Sequence, residues 1–326
     1  MTAWKTATEM GVDLAELSES WFMALEAEGK SAGTLKAYRY GVTGFLRWHV
    51  SQYPDAVPVL DRASVDLFLV DLRRGDPSSK PPRAAQSAGT VKLRYSALRL
   101  FSAWLADVGE LDRDPLRSMK PPKAATPMVP SLTDAEVAAL VKACRPAAAK
   151  RTLREQYADK RDEAMVRLLA STGMRAGEVA GLKVSEVDLK QRVVRVERAK
   201  GGKQRLVPLL PEVAAAMDRY LRARKAHRHA HLDQLWLGAD GSARFGYQGL
   251  ARALGVRAQA AGIEGFHAHR LRHTAASRWL AAGGSEDGLM AQMGWSDRNM
   301  VGRYTADTQQ RRALEEAHRL RLDQVS

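Results

Sequence analysis

The chain has 326 residues with 51 Lys and Arg against 37 Asp and Glu, a length above the usual single-domain size, so two domains are expected, each able to bury its own core. One cysteine, Cys144, excludes an internal disulfide framework and a cysteine-rich zinc site, and with no apolar run of transmembrane length and no leader-like h-region the sequence reads as intracellular, soluble and cytoplasmic. The net charge of +14 is uneven: residues 1–120 hold sixteen basic and fifteen acidic side chains, whereas residues 191–230 alone hold eleven against three, which favours a nucleic-acid partner because each neutralised phosphate releases counterions.

Residues 1–30 are acidic and helical in pattern, with Trp21, Phe22 and Leu25 on one apolar face. A near-repeat follows, Ser31-Ala-Gly-Thr34-Leu-Lys36 and Ser87-Ala-Gly-Thr90-Val-Lys92, each trailed at matching offsets by a Phe and Trp three apart: Phe45 and Trp48, then Phe101 and Trp104. Each copy is expected to be a Ser- or Thr-capped helix with a buried aromatic stripe. Between them come a turn, a short helix from about Ser64 and a polar, Pro-rich loop. Thr34, Lys36, Arg39, Thr90, Lys92 and Arg94 lie at the starts of the two capped helices, where the positive helix ends would add to the side chains in meeting phosphates. A plain capping or surface role is the alternative for each.

Four prolines in residues 118–130, followed by a Ser/Thr-led helix start with an acidic first turn, mark a boundary. The expected layout is a helical domain over 1–118, a linker over 119–130 bearing Lys120 and Lys123, and a second domain over 131–326. That second domain should open with helices at about 132–145 and 155–171. Residues 192–209 then alternate apolar and polar on both sides of a Gly-Gly turn, the pattern of a β-hairpin. Helices at about 211–226 and 246–261 come next, then the stretch 266–304, then a charged helix near 309–322. The fold class is mainly α with a small antiparallel β-sheet (α+β).

Within 266–304, His269 and Arg272 lie three apart, so on a helix an imidazole and a guanidinium share a face and could grip one phosphodiester. Tyr304 would be the group they serve. Arg175, Lys200 and Trp295 complete a set of hydrogen-bonding positions whose members have ordinary readings when taken alone: Arg175 a solvated loop arginine, Lys200 a turn lysine, His269 a satisfied helix histidine and Tyr304 a packed aromatic. His227, His229 and His231 have metal-like spacing but no carboxylate cluster joins them, so no metal is expected there.

The order of the blocks is more specific than any member: TGMRAGEVAGL, a hairpin with AKGGKQRLVPL, HRLRHTAASRWLAAG, MGW, and RY nine residues on. This set resembles the tyrosine recombinase (phage integrase) family, and the N-terminal bundle is similar to that family's core-binding domain, so the resemblance covers nearly the whole chain. It implies a site-specific recombinase or integrase that clamps double-stranded DNA and exchanges strands through a Holliday junction, without cofactor or metal, as a tetramer on two sites. Tyr304 would form a 3′-phosphotyrosine, Arg175 and Arg272 would hold the non-bridging oxygens, His269 would assist proton transfer and Glu178 would orient Arg175. Lys200 would be the general acid, with Lys203 its rival. Lys203 and Arg205 also count as candidate DNA contacts, and His273 is read as structural. Trp295 stands where most members have His; an indole N–H still donates one hydrogen bond, and the ring would pack against the nucleophile's helix. In the family a helix like 309–322 docks into a neighbouring protomer. No separate arm-binding domain is expected before the bundle. A cleavage-inactive DNA-binding protein of the same fold and a type IB topoisomerase are the alternatives.

Overall fold

The structure is a computed structural model that describes residues 13–76, 83–123, 130–146, 151–196, 204–243, 245–298 and 300–302. It divides into two compact units, Met1–Pro127 and Met128–Ser326.

Local chemistry sets the helices of the first unit. Asp13 caps α1 (Leu14–Ala27), accepting from the Ala15 N–H at 2.8 Å. Ser31 caps α2 (Ala32–Gln52) and Ser87 caps α4 (Ala88–Asp107) with the same geometry: each Oγ accepts from the Thr N–H three residues on at 3.2 Å. Each also lies 2.9 Å from that threonine's hydroxyl. The near-repeat is therefore a structural repeat of two capped helices. Asp61 caps α3 (Arg62–Arg74), which starts two residues before the expected Ser64.

One face of each helix closes a common core of Trp21, Phe22, Phe45, Phe68, Tyr95 and Phe101. Burying a side chain the size of Phe45 or Phe101 stabilises by roughly 1.5–3 kcal/mol. Trp104 departs from the expected stripe: it is only partly buried and stacks on Phe101 at 6.3 Å between ring centroids. α2 and α4 approach closely at Gly41, where an added Cβ would stand 2.5 Å from the Ala97 Cβ. The predicted linker loses its first residue to this unit, because Met119 is buried in its core and its carbonyl accepts from the Tyr95 hydroxyl.

The second unit is built around α6 (Leu153–Thr172), buried on most of its surface from Arg161 to Thr172. Its Thr152–Glu155 capping box starts the helix earlier than the expected residue 155. A second box, Thr133–Glu136, starts α5 (Asp134–Ala143). Three antiparallel strands, β1 (Val187–Asp188), β2 (Val193–Val196) and β3 (Arg205–Pro208), lie in sequence order. Val194 faces Val187 on one side and Val207 on the other. Val194, Val196 and Val207 are buried, as the alternation predicts. The helices α8 (Pro211–Arg224), α9 (Tyr247–Ala260), α10 (Ala268–Ala281) and α11 (Glu286–Met293) complete the unit. The short helix α7 (Ala176–Ala180) precedes the sheet. The chain enters this unit fixed in place: the Pro130 carbonyl accepts from Arg270, and the Leu132 N–H donates to Thr274. Among the described residues, no helix is long and apolar enough to cross a membrane.

Candidate active site

α6 ends at Gly173, whose φ of +64° is the left-handed conformation that glycine adopts without strain. A Cβ there would stand 2.3 Å from the Met293 Cε and 3.2 Å from the Ala275 Cβ, so the position also needs the missing side chain for close approach. Two residues later the chain turns into α7, with Arg175 in the N-cap position. The Trp236 indole, itself buried, donates to the Val179 carbonyl at 2.6 Å and pins this short helix to the core.

That turn places Glu178 under Arg175. The carboxylate accepts from the Arg175 backbone N–H at 2.8 Å and from its guanidinium at 3.0 Å. The Glu178 side chain is 6% exposed and that of Arg175 is 36% exposed, so the acid is enclosed while the arginine reaches solvent. Burial alone would raise the Glu178 pKa, but hydrogen bonds from Arg205 and Arg175 outweigh it and hold the carboxyl below its ordinary value.

α10 supplies the other half. Arg272 is buried, and its guanidinium donates to the Gly173 carbonyl and, at 2.9 Å, to the Met293 carbonyl. Two bonds to main-chain carbonyls from different helix ends fix the plane of a group with five N–H donors. Its carbon lies 5.4 Å from the Trp295 ring centroid, a cation–π contact. Trp295 is 7% exposed and packs with Ala275, Leu289, Met293 and Val301. One turn before Arg272, His269 stands exposed. Desolvation and then the charges of Arg272, His267 and Arg175 all lower its pKa, which keeps the imidazole neutral near pH 7. The bond from Arg272 to the Gly173 carbonyl brings Arg272, and His269 one turn before it, to the turn that carries Arg175, although Arg175 is almost a hundred residues upstream.

The site expectations divide accordingly. Arg175, Glu178, His269, Arg272 and Trp295 come together; Lys200, Lys203 and Tyr304, and the helix expected near 309–322, lie outside the described residues. His273, read as structural, packs edge-on against His269 with ring centroids 4.8 Å apart. Arg205 is a correction: expected at the DNA surface, its side chain is 10% exposed and donates to both oxygens of Glu178 and to the Gln292 carbonyl. The reason is the strand alternation, which turns Arg205 inward opposite Val196. Sequence reading also missed Gly173 and the two carbonyls at the end of α11. The glycine directly before Met174-Arg175 was the available signal.

In the first unit Lys36 and Lys92 are exposed in the first turns of α2 and α4. Lys36 and Arg94 flank the exposed Tyr40 ring, at 5.9 and 5.4 Å from its centroid. Thr34 and Thr90 are engaged with their cap serines. Arg39 is tied to Glu19 and lies over Phe22 at 4.2 Å, so its charge is already partnered. Lys120 and Lys123 are exposed. His227 accepts from the His229 N–H and bonds the Gly238 carbonyl, a turn-stabilising arrangement.

Residues 130–311 match the phage integrase family, and residues 19–109 match the phage integrase N-terminal SAM-like domain. The tyrosine recombinase XerD of Mycobacterium leprae (strain TN) is 32% identical over 291 residues, covering 86% of this chain and 88% of the relative. The tyrosine recombinase XerC of Xylella fastidiosa (strain 9a5c) is 30% identical over 307 residues, covering 90% and 92%. Among solved structures, the Tn1549 transposon integrase in complex with a circular intermediate DNA superposes with a TM-score of 0.67 at 18% identity, covering 93% of this chain and 99% of that one. That last likeness is one of fold.

Proposed function

This chain belongs to the phage integrase family of tyrosine recombinases, and we propose that it is a site-specific DNA recombinase that cleaves and rejoins duplex DNA by transesterification. The observation that carries this reading is the convergence of Arg175, His269 and Arg272: buried Arg272 is clamped by two backbone carbonyls, one of them two residues before Arg175, and exposed His269 stands one helical turn before Arg272. Two fixed guanidiniums suit a phosphodiester whose negative charge grows in the transition state; such preorganised donors are each worth about 3 kcal/mol.

In this reading the Tyr304 oxygen attacks the phosphorus and the bond to the 5′-oxygen breaks. The product is a 3′-phosphotyrosine, and the stored phosphodiester energy makes rejoining independent of ATP. The phenolic proton leaves toward neutral His269, and the Lys200 ammonium gives a proton to the departing 5′-oxygen. Glu178 orients Arg175, and Trp295 packs on Arg272. Lys36, Lys92, Arg94, Lys120 and Lys123 contribute phosphate contacts. Strand exchange passes through a Holliday junction in a tetramer of this chain, and the protein works at the nucleoid.

The test is covalent capture. A binding site is first selected from a random duplex library with the wild-type chain, then built into a suicide duplex nicked beside the cleavage position. Wild type should form a protein–DNA adduct and Tyr304→Phe should not. Binding without any wild-type adduct would identify a non-cleaving DNA-binding protein, and relaxation of plasmids lacking the site would identify a topoisomerase.

A further inference from the structure

We propose that Arg205 is a positioning residue that locks the strand leading out of the Lys200 segment onto both phosphate-binding arginines at once. The inference rests on the recombinase reading of this site. Arg205 opens β3, directly after residues 197–203 in the chain. Its Nη1 and Nη2 donate to the two oxygens of Glu178 at 3.2 and 2.7 Å, and its Nε donates to the Gln292 carbonyl at 3.1 Å. The same two carboxylate oxygens hold Arg175. One residue beyond Gln292, the Met293 carbonyl holds Arg272. Consecutive carbonyls at the end of α11 thus receive Arg205 and Arg272, while a single carboxylate receives Arg205 and Arg175.

A direct DNA contact does not fit this geometry. Withdrawing the Arg205 fork toward a phosphate would leave Glu178, 6% exposed, without its principal partner in a low-dielectric setting. The planar fork matters as well as the charge, because one guanidinium spans a carboxylate and a carbonyl in different directions while an ammonium is a point charge. The surroundings are built to the shape: Gly294 has a φ of +62°, and a Cβ there would stand 3.1 Å from Arg205 Nη1. Glu178 is held below its ordinary pKa against its own burial by Arg205 first and Arg175 second, consistent with one shared carboxylate joining the two.

The experiment uses the full chain with the library-selected suicide duplex at saturating concentration. It compares wild type, Arg205→Ala, Arg205→Lys, Glu178→Gln and the Arg205→Ala/Glu178→Gln pair. Arg205→Ala is expected to slow adduct formation at least tenfold while changing duplex affinity less than threefold and leaving the salt slope unchanged. The double variant should be no slower than the slower single, because both act through Arg175. Arg205→Lys should recover part of the rate, since it neutralises Glu178 but cannot reach the Gln292 carbonyl as well. Thermal melting of each variant separates unfolding from misplacement; if Arg205→Ala does not fold, the Lys variant carries the test, expected three- to tenfold slow at wild-type melting temperature. A wild-type rate in Arg205→Lys or Arg205→Ala overturns the proposal. So does a salt slope lowered by about one with a normal rate at saturation, the signature of a phosphate contact. Failure of wild type itself to form an adduct would instead remove the recombinase reading.

Discussion

His273 packs edge-on to His269 and lies within reach of His267 and Arg272, so burial and three neighbouring positive or potentially positive groups push its pKa down to about 4. The sign of the resulting pH dependence follows from linkage. The unfolded chain protonates this imidazole near 6.5 and the folded chain only near 4, so stability is full above pH 6.5 and declines as pH falls toward 4. His269 shifts in the same direction. The ring is partly exposed, so a loss on the order of 1–2 kcal/mol is expected across that window after solvent screening. Urea unfolding at pH 7.5 and 5 should show this decline in wild type and a smaller one in His273→Gln. Glu178 acts in a lower window: its depressed pKa stabilises the fold above its ordinary value of 4.5, and that contribution is lost on further acidification. At Gly173 the backbone decides. Gly173→Ala must hold a left-handed φ, costing about 1–2 kcal/mol, and must also displace Met293, whose carbonyl orients Arg272. It should lower both melting temperature and adduct yield, whereas a wild-type adduct rate would show that this carbonyl is not needed.

Helix starts are the best-specified elements. Ser31 and Ser87 satisfy equivalent orphan N–H groups, so Ser31→Ala and Ser87→Ala should each lower the first unit's stability by about 1 kcal/mol, read by denaturant midpoints. The α2–α4 interface sets a stricter limit. Gly41→Val would force side-chain atoms into Ala97 and part the two helices, with a loss of about 1–3 kcal/mol or more. These features were legible because cap chemistry and helical periodicity act over three to seven residues. Where the expectations missed, the cause was tertiary: Trp104 sits at the edge of the shared core, and Thr152 extends α6 beyond its apolar stripe.

Each unit carries a separate core, so residues 128–326 expressed alone should unfold in one cooperative calorimetric transition. The charge count of the chain overstates what faces a polyanion. In the basic stretch 191–230, Arg205 is spent on Glu178, Arg219 on Glu163, and buried Arg224 on the carbonyls of Ala230, Leu232, Gln234 and Leu235. The salt slope of duplex binding should therefore be shallower than the net charge suggests.

By itself the sequence determined the helix caps, the two-part organisation, the hairpin alternation and the ordered blocks that mark the family. All of these are written in short spacings or in chain order. It could not say which way a given cation turns, because a guanidinium chooses among carboxylates and carbonyls that arrive from segments 21 to 99 residues away. Only the tertiary structure decided that Arg272 is gripped by the ends of α6 and α11 and that Arg205 is held inside with Glu178. Packing those helix ends together around Gly173 brings carbonyl dipoles and a buried carboxylate within hydrogen-bonding reach of charges that would otherwise face water.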